Sequence, residues 1–85
     1  MEIIILPKAD EDLQYWIKSG NQSILKKIAQ LTKDIIDSPY HGIGKPEALK
    51  YQLSGKWSRR ITGAHRYIYK IEENTLKIYS LKGHY

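Results

Sequence analysis

Cysteine is absent from this chain of 85 residues, which excludes a disulfide framework and thiolate chemistry and fits a reducing compartment. Long apolar runs are missing as well. The longest uninterrupted aliphatic stretch is Ile3 to Leu6, far short of the roughly 20 residues that a membrane helix needs. The acidic and polar residues that follow at once argue against a secretory signal, so the expected location is the cytoplasm, with no membrane partner. Metal-binding patterns are lacking too: magnesium hydrolases bring several carboxylates together and zinc sites use a His/Cys set at ligand spacing. Neither occurs here, and no cofactor or metal is expected. There is no repeat, low-complexity segment or internal linker, so residues 1–85 are expected to form one small domain with a limited core.

Acid is scarce in the second half. Residues 1–40 hold five basic and six acidic side chains, whereas residues 41–85 hold nine basic and three acidic, a balance of +6. All three histidines also lie in the second half. This asymmetry divides the chain into a nearly neutral scaffold and a basic working part. Between Lys45 and Lys70 there are seven Lys or Arg residues and a single acid, Glu47. That is the footprint of a surface that meets phosphates, although basic runs also occur as solvated faces.

The densest part of this region, Ser54 to Ile71 (SGKWSRRITGAHRYIYKI), reads as two strands. Alternation puts Trp57, Arg59 and Ile61 on one face and Ser58, Arg60 and Thr62 on the other, until Gly63-Ala64 interrupts the run. In the second strand Arg66, Ile68 and Lys70 point one way, and Tyr67, Tyr69 and Ile71 the other. Both faces therefore mix bulk with positive charge.

Around this hairpin the rest of the chain falls into order. Glu2 to Leu6, ended by Pro7, predicts an inner or well-covered strand. A helix follows, with Asp10, Glu11 and Asp12 at its positive end and Ala9, Leu13, Trp16 and Ile17 on its apolar face, and Gly20 ends it. Asn21 or Ser23 caps a second helix whose stripe is Ile24, Ile28, Leu31 and Ile35, with Lys26, Lys27, Lys33, Asp34 and Asp37 on its solvated side. Tyr40 to Pro46 is a loop. Leu49, Tyr51 and Leu53 then alternate as the first strand of a meander, followed by the two basic strands and a last strand from Leu76 to Lys82. The expected fold class is α+β, with both helices on one face of a mainly antiparallel sheet, a C-terminal four-strand meander, and the other face open for ligand.

Cleaving RNA without a metal needs a base for the 2′-hydroxyl, a cation for the charge that builds on phosphorus, and an acid for the departing 5′-oxygen. The basic half supplies one of each in Glu47, Arg66 and His84. Taken singly these residues have bland readings: a solvated turn glutamate, a surface cation, a histidine exposed near a terminus. The tyrosines and tryptophan of the strands read as core or sheet-surface bulk as readily as stacking platforms. His41 and His65 are read as structural.

Three segments decide between these readings. GIGKPEALKY (42–51), LSGKWSRRITGAHRYIY (53–69) and the terminal HY (84–85), in this order and spacing, resemble the YoeB (Txe) branch of the RelE-type bacterial toxins. The similarity runs over essentially the whole chain. It implies a RelE-like fold and a type II toxin that acts as a ribosome-dependent endoribonuclease, an mRNA interferase, cutting mRNA in the A site. It also implies a cognate acidic antitoxin of the YefM/Axe kind, and it is compatible with a homodimer. By the resemblance, Glu47 matches the general base, Arg66 the phosphate-stabilising arginine, His84 the general acid and Tyr85 the terminal tyrosine that helps to position substrate. Lys50, Arg59 and Arg60 fit a role in holding RNA phosphates, with a steep dependence on salt.

Two departures stand out: Ile43 lies between two glycines where a lysine is common, and Ala48 follows the glutamate where a proline is common. A carboxylate at its ordinary pKa is a poor base for a hydroxyl, so partial burial of Glu47 is expected, while His84 has to be held protonated by the substrate phosphate. The competing classes are a ParE-like toxin that acts on DNA gyrase and a non-catalytic RNA-binding module.

Overall fold

The computed structural model describes residues 1–84. Five strands, two α-helices and one 3₁₀ turn follow in the order β1 (Glu2–Ile5), α1 (Pro7–Ser19), α2 (Gln22–Asp37), β2 (Glu47–Ala48), the turn Tyr51–Leu53, β3 (Trp57–Arg60), β4 (Arg66–Glu72) and β5 (Thr75–Ser80). They form one sheet ordered β1-β5-β4-β3-β2. The meander β2 to β5 is antiparallel throughout, while β1 runs parallel to β5 and is reached through the two helices, so the fold is α+β with both helices on one face.

Helix α1 begins on Pro7, whose fixed φ suits a first turn, and stops at Gly20 in the left-handed region at φ 69°. Helix α2 is capped by Asn21, whose side chain accepts from the Ile24 N–H at 3.1 Å. Its stripe of Ile24, Ile28, Leu31 and Ile35 is buried as the spacing requires, in one core with Tyr67 and Tyr69 of β4 and Ile61 just after β3. The stripe of α1 is turned from the expected one. Ala9, Asp12 and Trp16 are buried while Ile17 is half exposed, because the Asp12 carboxylate faces inward to accept from the Leu81 N–H at 2.9 Å. An apolar count cannot register an acid buried for its hydrogen bond.

Two strand readings need correction. β1 is neither inner nor covered: it is an edge strand, and Ile3, Ile4 and Ile5 are all about two-fifths exposed. Helix α1 lies over β5 rather than β1. The alternation of Leu49, Tyr51 and Leu53 does not make a strand either. Only Glu47–Ala48 pairs with β3, and Tyr51 at φ 58° turns the chain into the 3₁₀ turn. That turn is closed by Leu53 N–H to Lys50 O (3.1 Å) and Ser54 N–H to Tyr51 O (3.0 Å). Among the described residues no helix is long and apolar enough to cross a membrane.

Candidate nucleic-acid interface and catalytic site

The uncovered face of the sheet carries the site, and strand register decides who meets there. Glu47 pairs with Ser58, which pairs with Ile68, and in the next rung Arg60 pairs with Arg66. Because side chains alternate across a strand, Glu47, Ser58, Arg60 and Arg66 all project from the face opposite the helices. With Lys45 they line one basin of about 180 Å³. One carboxylate, three cations and a hydroxyl around so small a space make a receptor for an anion that still holds a base.

Arg66 is nearly buried, at 8% exposure. Its Nη1 donates to the carbonyls of Thr62 (2.8 Å), Gly63 (3.1 Å) and His65 (3.2 Å), which fixes the guanidinium plane. Its Nε and Nη2 make no hydrogen bond among the described residues, so two donors of a rigid fork remain for a phosphate. His84 lies beside it: the His84 Nε2 is 3.2 Å from the Gly63 carbonyl that Arg66 also holds. A carbonyl can only accept, so this nitrogen carries a proton. Tyr85 lies outside the described residues.

The tail that delivers His84 is strapped down by residues that sequence reasoning left out. Asp12 holds the Leu81 N–H, the Trp16 Nε1 donates to the Leu81 carbonyl (3.0 Å), and Lys8 reaches the Lys82 carbonyl (3.2 Å). His65 accepts the Gly83 N–H at its Nδ1 (2.9 Å), and the Gly83 carbonyl accepts the Arg66 N–H (3.0 Å). The His65 ring also packs edge-on against Trp16 at 4.9 Å. His65 is thus a structural histidine with a specific task, holding the residue next to His84. A histidine beside Arg66 at the head of a strand was the available signal, but its partner is 18 residues away.

Arg59 requires the main correction. It does not face RNA: the residue is fully buried, and all of its donors are used inside the protein. Nη1 pairs with Asp34 and donates to the Ile43 carbonyl (3.2 Å), Nη2 donates to the carbonyls of Ser38 (2.6 Å) and His41 (2.7 Å), and Nε donates to the Tyr69 hydroxyl (3.2 Å). This one side chain gathers the loop that leads to Glu47. Asp34, taken as part of the solvated face of α2, is its counter-ion and also accepts the Ile43 N–H at 3.1 Å. These bonds, the Arg59 hydrogen bond first, hold the Asp34 carboxyl below its ordinary pKa of 3.8.

The loop is tight. At Gly44, φ 78°, an added Cβ would stand 2.8 Å from Leu31 Cδ2 and 3.2 Å from the Arg60 carbonyl, while the Gly44 carbonyl accepts the Arg60 N–H at 2.6 Å. Ile43, in place of the common lysine, packs its side chain against the core. Lys45 then sits at φ 52° and Tyr51 at φ 58°, so two non-glycine residues in the left-handed region flank Glu47. Such strain gathers where a chain must place a functional group.

Glu47 itself is exposed rather than partly buried, on a two-residue strand at the edge of the sheet. Lys45, Lys50 and Arg60 are exposed as well and form no ion pair among the described residues, whereas Lys70 and Lys77 both pair with Glu72 (3.1 and 2.6 Å). Within the sheet, the lysines of β4 and β5 are therefore tied to Glu72, while the cations beside Glu47 are not paired with an acid among the described residues. Among the described residues, no three His, Cys, Asp or Glu side chains group so as to hold a metal ion.

A strand-helix-helix-meander domain with a basic basin on its bare sheet face is a toxin domain of the RelE-like fold. Comparison with known proteins makes the assignment specific: the chain belongs to the YoeB-like toxins of bacterial type II toxin-antitoxin systems, whose family model matches residues 6–85. The toxin YoeB of Escherichia coli K12 is 42% identical over 85 residues, covering 100% of both chains. Among solved structures, a YoeB/ParE toxin from Agrobacterium tumefaciens superposes with a TM-score of 0.96 at 31% identity, covering 100% of both chains. The toxin of a YoeB-YefM complex from Staphylococcus aureus superposes at 0.90 with 43% identity, covering 100% of this chain and 98% of that one, and a YoeB dimer from the same organism also gives 0.90, at 42% identity with the same coverage.

Proposed function

We propose that this toxin is a ribosome-dependent endoribonuclease that cuts mRNA in the A site by acid-base catalysis without a metal ion. The observation that supports the reading is that Glu47 and Arg66 line one basin, while Arg66 and His84 share the Gly63 carbonyl. Glu47 takes the proton of the 2′-hydroxyl, and the 2′-oxygen attacks the adjacent phosphorus. Arg66 offers Nε and Nη2 to the phosphoryl oxygens, with Lys45 and Arg60 adding positive charge across the basin. His84 gives its Nε2 proton to the departing 5′-oxygen. The products are a 2′,3′-cyclic phosphate end and a 5′-hydroxyl end, and Tyr85, next to His84, helps to position the substrate.

One carboxylate among three cations suits an anionic ligand better than a metal ion. Glu47 is exposed in the isolated chain, so the desolvation that makes a carboxylate more basic has to come from RNA closing over the basin. Lys50, exposed beside Glu47, holds a flanking phosphate.

The complex and the dimer of the Staphylococcus aureus toxins support an acidic YefM-like antitoxin and a homodimer for this chain as well. An acidic segment folding across Lys45, Arg60 and Arg66 would occupy the phosphate basin, which accounts for inhibition. The cytoplasm, where ribosomes are, is the place of action.

The reading is tested by adding the pure protein to a translating extract with a defined mRNA and mapping new 5′ ends by primer extension, with His84→Ala in parallel. Cuts confined to A-site codons, bearing 5′-hydroxyl ends and lost in the variant, are expected. An intact message with unimpaired translation would overturn the reading and direct the next test to DNA supercoiling.

A further inference from the structure

Glu47 lines two depressions. One is the cation basin; the other is a groove of about 620 Å³ walled by Glu47 to Leu53. Ala48, Leu49 and Leu53 give this groove apolar walls, and Tyr51 stands over it with 87% of its surface exposed. Nothing in the fold calls for an aromatic there. Tyr51 has no ring or cation partner among the described residues, and its backbone sits at φ 58°, where asparagine or glycine would be less strained. The turn thus holds a large flat ring in water at the shoulder of the residue that takes the 2′-proton.

Resting on the nuclease reading, we propose that the groove is a nucleobase subsite in which Tyr51 stacks on the base of the nucleotide that supplies the attacking 2′-oxygen. The topology of a nucleotide favours this assignment. Base and 3′-phosphate leave the same ribose in different directions, and Glu47, which must reach the 2′-hydroxyl between them, is the one residue among those described that borders both depressions. Phosphate goes to Lys45, Arg60 and Arg66, and base goes to Tyr51. Stacking is tolerant of base identity, so Tyr51 orients the nucleotide more than it selects it.

The test is single-turnover cleavage on ribosomes programmed with a short synthetic message, at subsaturating toxin. One message is intact; the other lacks the base on the nucleotide 5′ to the scissile phosphate. Loss of one stacked base corresponds to roughly a tenfold or greater drop in rate. Tyr51→Ala is expected to show that drop on the intact message, Tyr51→Phe to stay within about twofold of wild type, and wild type and Tyr51→Ala to cut the abasic message equally slowly. Matching melting temperatures will show that the exposed substitution leaves the fold intact. Wild-type cleavage of the intact message by Tyr51→Ala would overturn the subsite, and so would an equal loss on both messages, which would place the stacked base in ribosomal RNA. If the wild-type protein cut neither message, the nuclease reading itself would fall, and the subsite with it.

Discussion

Replacing Arg59 by lysine keeps the charge and removes the fork, so it separates a structural arginine from a phosphate-binding one. Arg59 bonds to five acceptors: Asp34, the carbonyls of Ser38, His41 and Ile43, and the Tyr69 hydroxyl. A lysine ammonium has three donors, so at least two of these acceptors lose the partner that the buried Arg59 side chain supplies. At roughly 1–3 kcal/mol for each orphaned group the variant should lose about 2–6 kcal/mol. A domain of this length has about 4–13 kcal/mol in all, so the loss is a large fraction of total stability.

Urea unfolding followed by tryptophan fluorescence measures it. With a slope of about 1.5 kcal/mol per molar, the midpoint should fall by more than about 1 M. Arg60→Lys, on the exposed side of the same strand, should stay within about 0.5 kcal/mol of wild type. If Arg59→Lys were as stable as Arg60→Lys, and weakened RNA binding more, the structural reading of Arg59 would be refuted.

Asp34→Asn should flatten the acid limb of stability: the native carboxyl is held below 3.8, so its contribution is complete above that pH and disappears as pH falls through the lower native value, which an unfolding series across the acid range would show. Tyr67→Phe should flatten the alkaline limb. Burial raises the Tyr67 phenol from 10.0 to about 12, and the stability linked to it is intact below 10.0 and lost as pH rises toward the native value. Unfolding followed against tyrosinate absorbance tests this, and an alkaline limb unchanged in the variant would count against it. His65→Asn places an acceptor near the position of Nδ1 and His65→Gln does not, so the cleavage rate should survive the first and drop roughly tenfold in the second at unchanged KM, if holding Gly83 positions His84. Equal rates in the two variants would leave His65 a packing residue only.

How legible the chain was depends on the kind of interaction. Periodicity located both helices, but it set the buried face correctly only for α2, because Ile24, Ile28, Leu31 and Ile35 form a stripe whose only requirement is burial. The last three strands of the meander were visible in alternation around turn residues, whereas the alternation of Leu49, Tyr51 and Leu53 was misleading, since those residues enter a 3₁₀ turn and only Glu47–Ala48 pairs with β3. The ordered motifs from Gly42 to Tyr69 and at the C-terminus identified the family. Several misread positions are those where a polar side chain serves the backbone of a distant segment. Arg59 alternates correctly with Trp57 and Ile61, but the sequence does not show that the inward face offers it five acceptors from α2, the following loop and β4. Asp12 looked like a first-turn acid, and its partner, the Leu81 N–H, is 69 residues away. β1 was read as covered because an unbroken aliphatic run suits a buried strand. Its place at the edge follows from which strand it pairs with, which hydropathy does not encode. At the site, register across β2, β3 and β4 brings Glu47, Arg60 and Arg66 together, and this register follows from pairing.

The most direct test of the account replaces one atom of the substrate. On programmed ribosomes, a message carrying a 2′-deoxy sugar on the nucleotide 5′ to the scissile phosphate offers Glu47 no proton to take and the phosphorus no internal nucleophile. Such a message should remain uncut under conditions in which the all-ribose message yields a 2′,3′-cyclic phosphate and a 5′-hydroxyl. Cleavage of the deoxy message at the same bond would contradict the mechanism and take the base role away from Glu47.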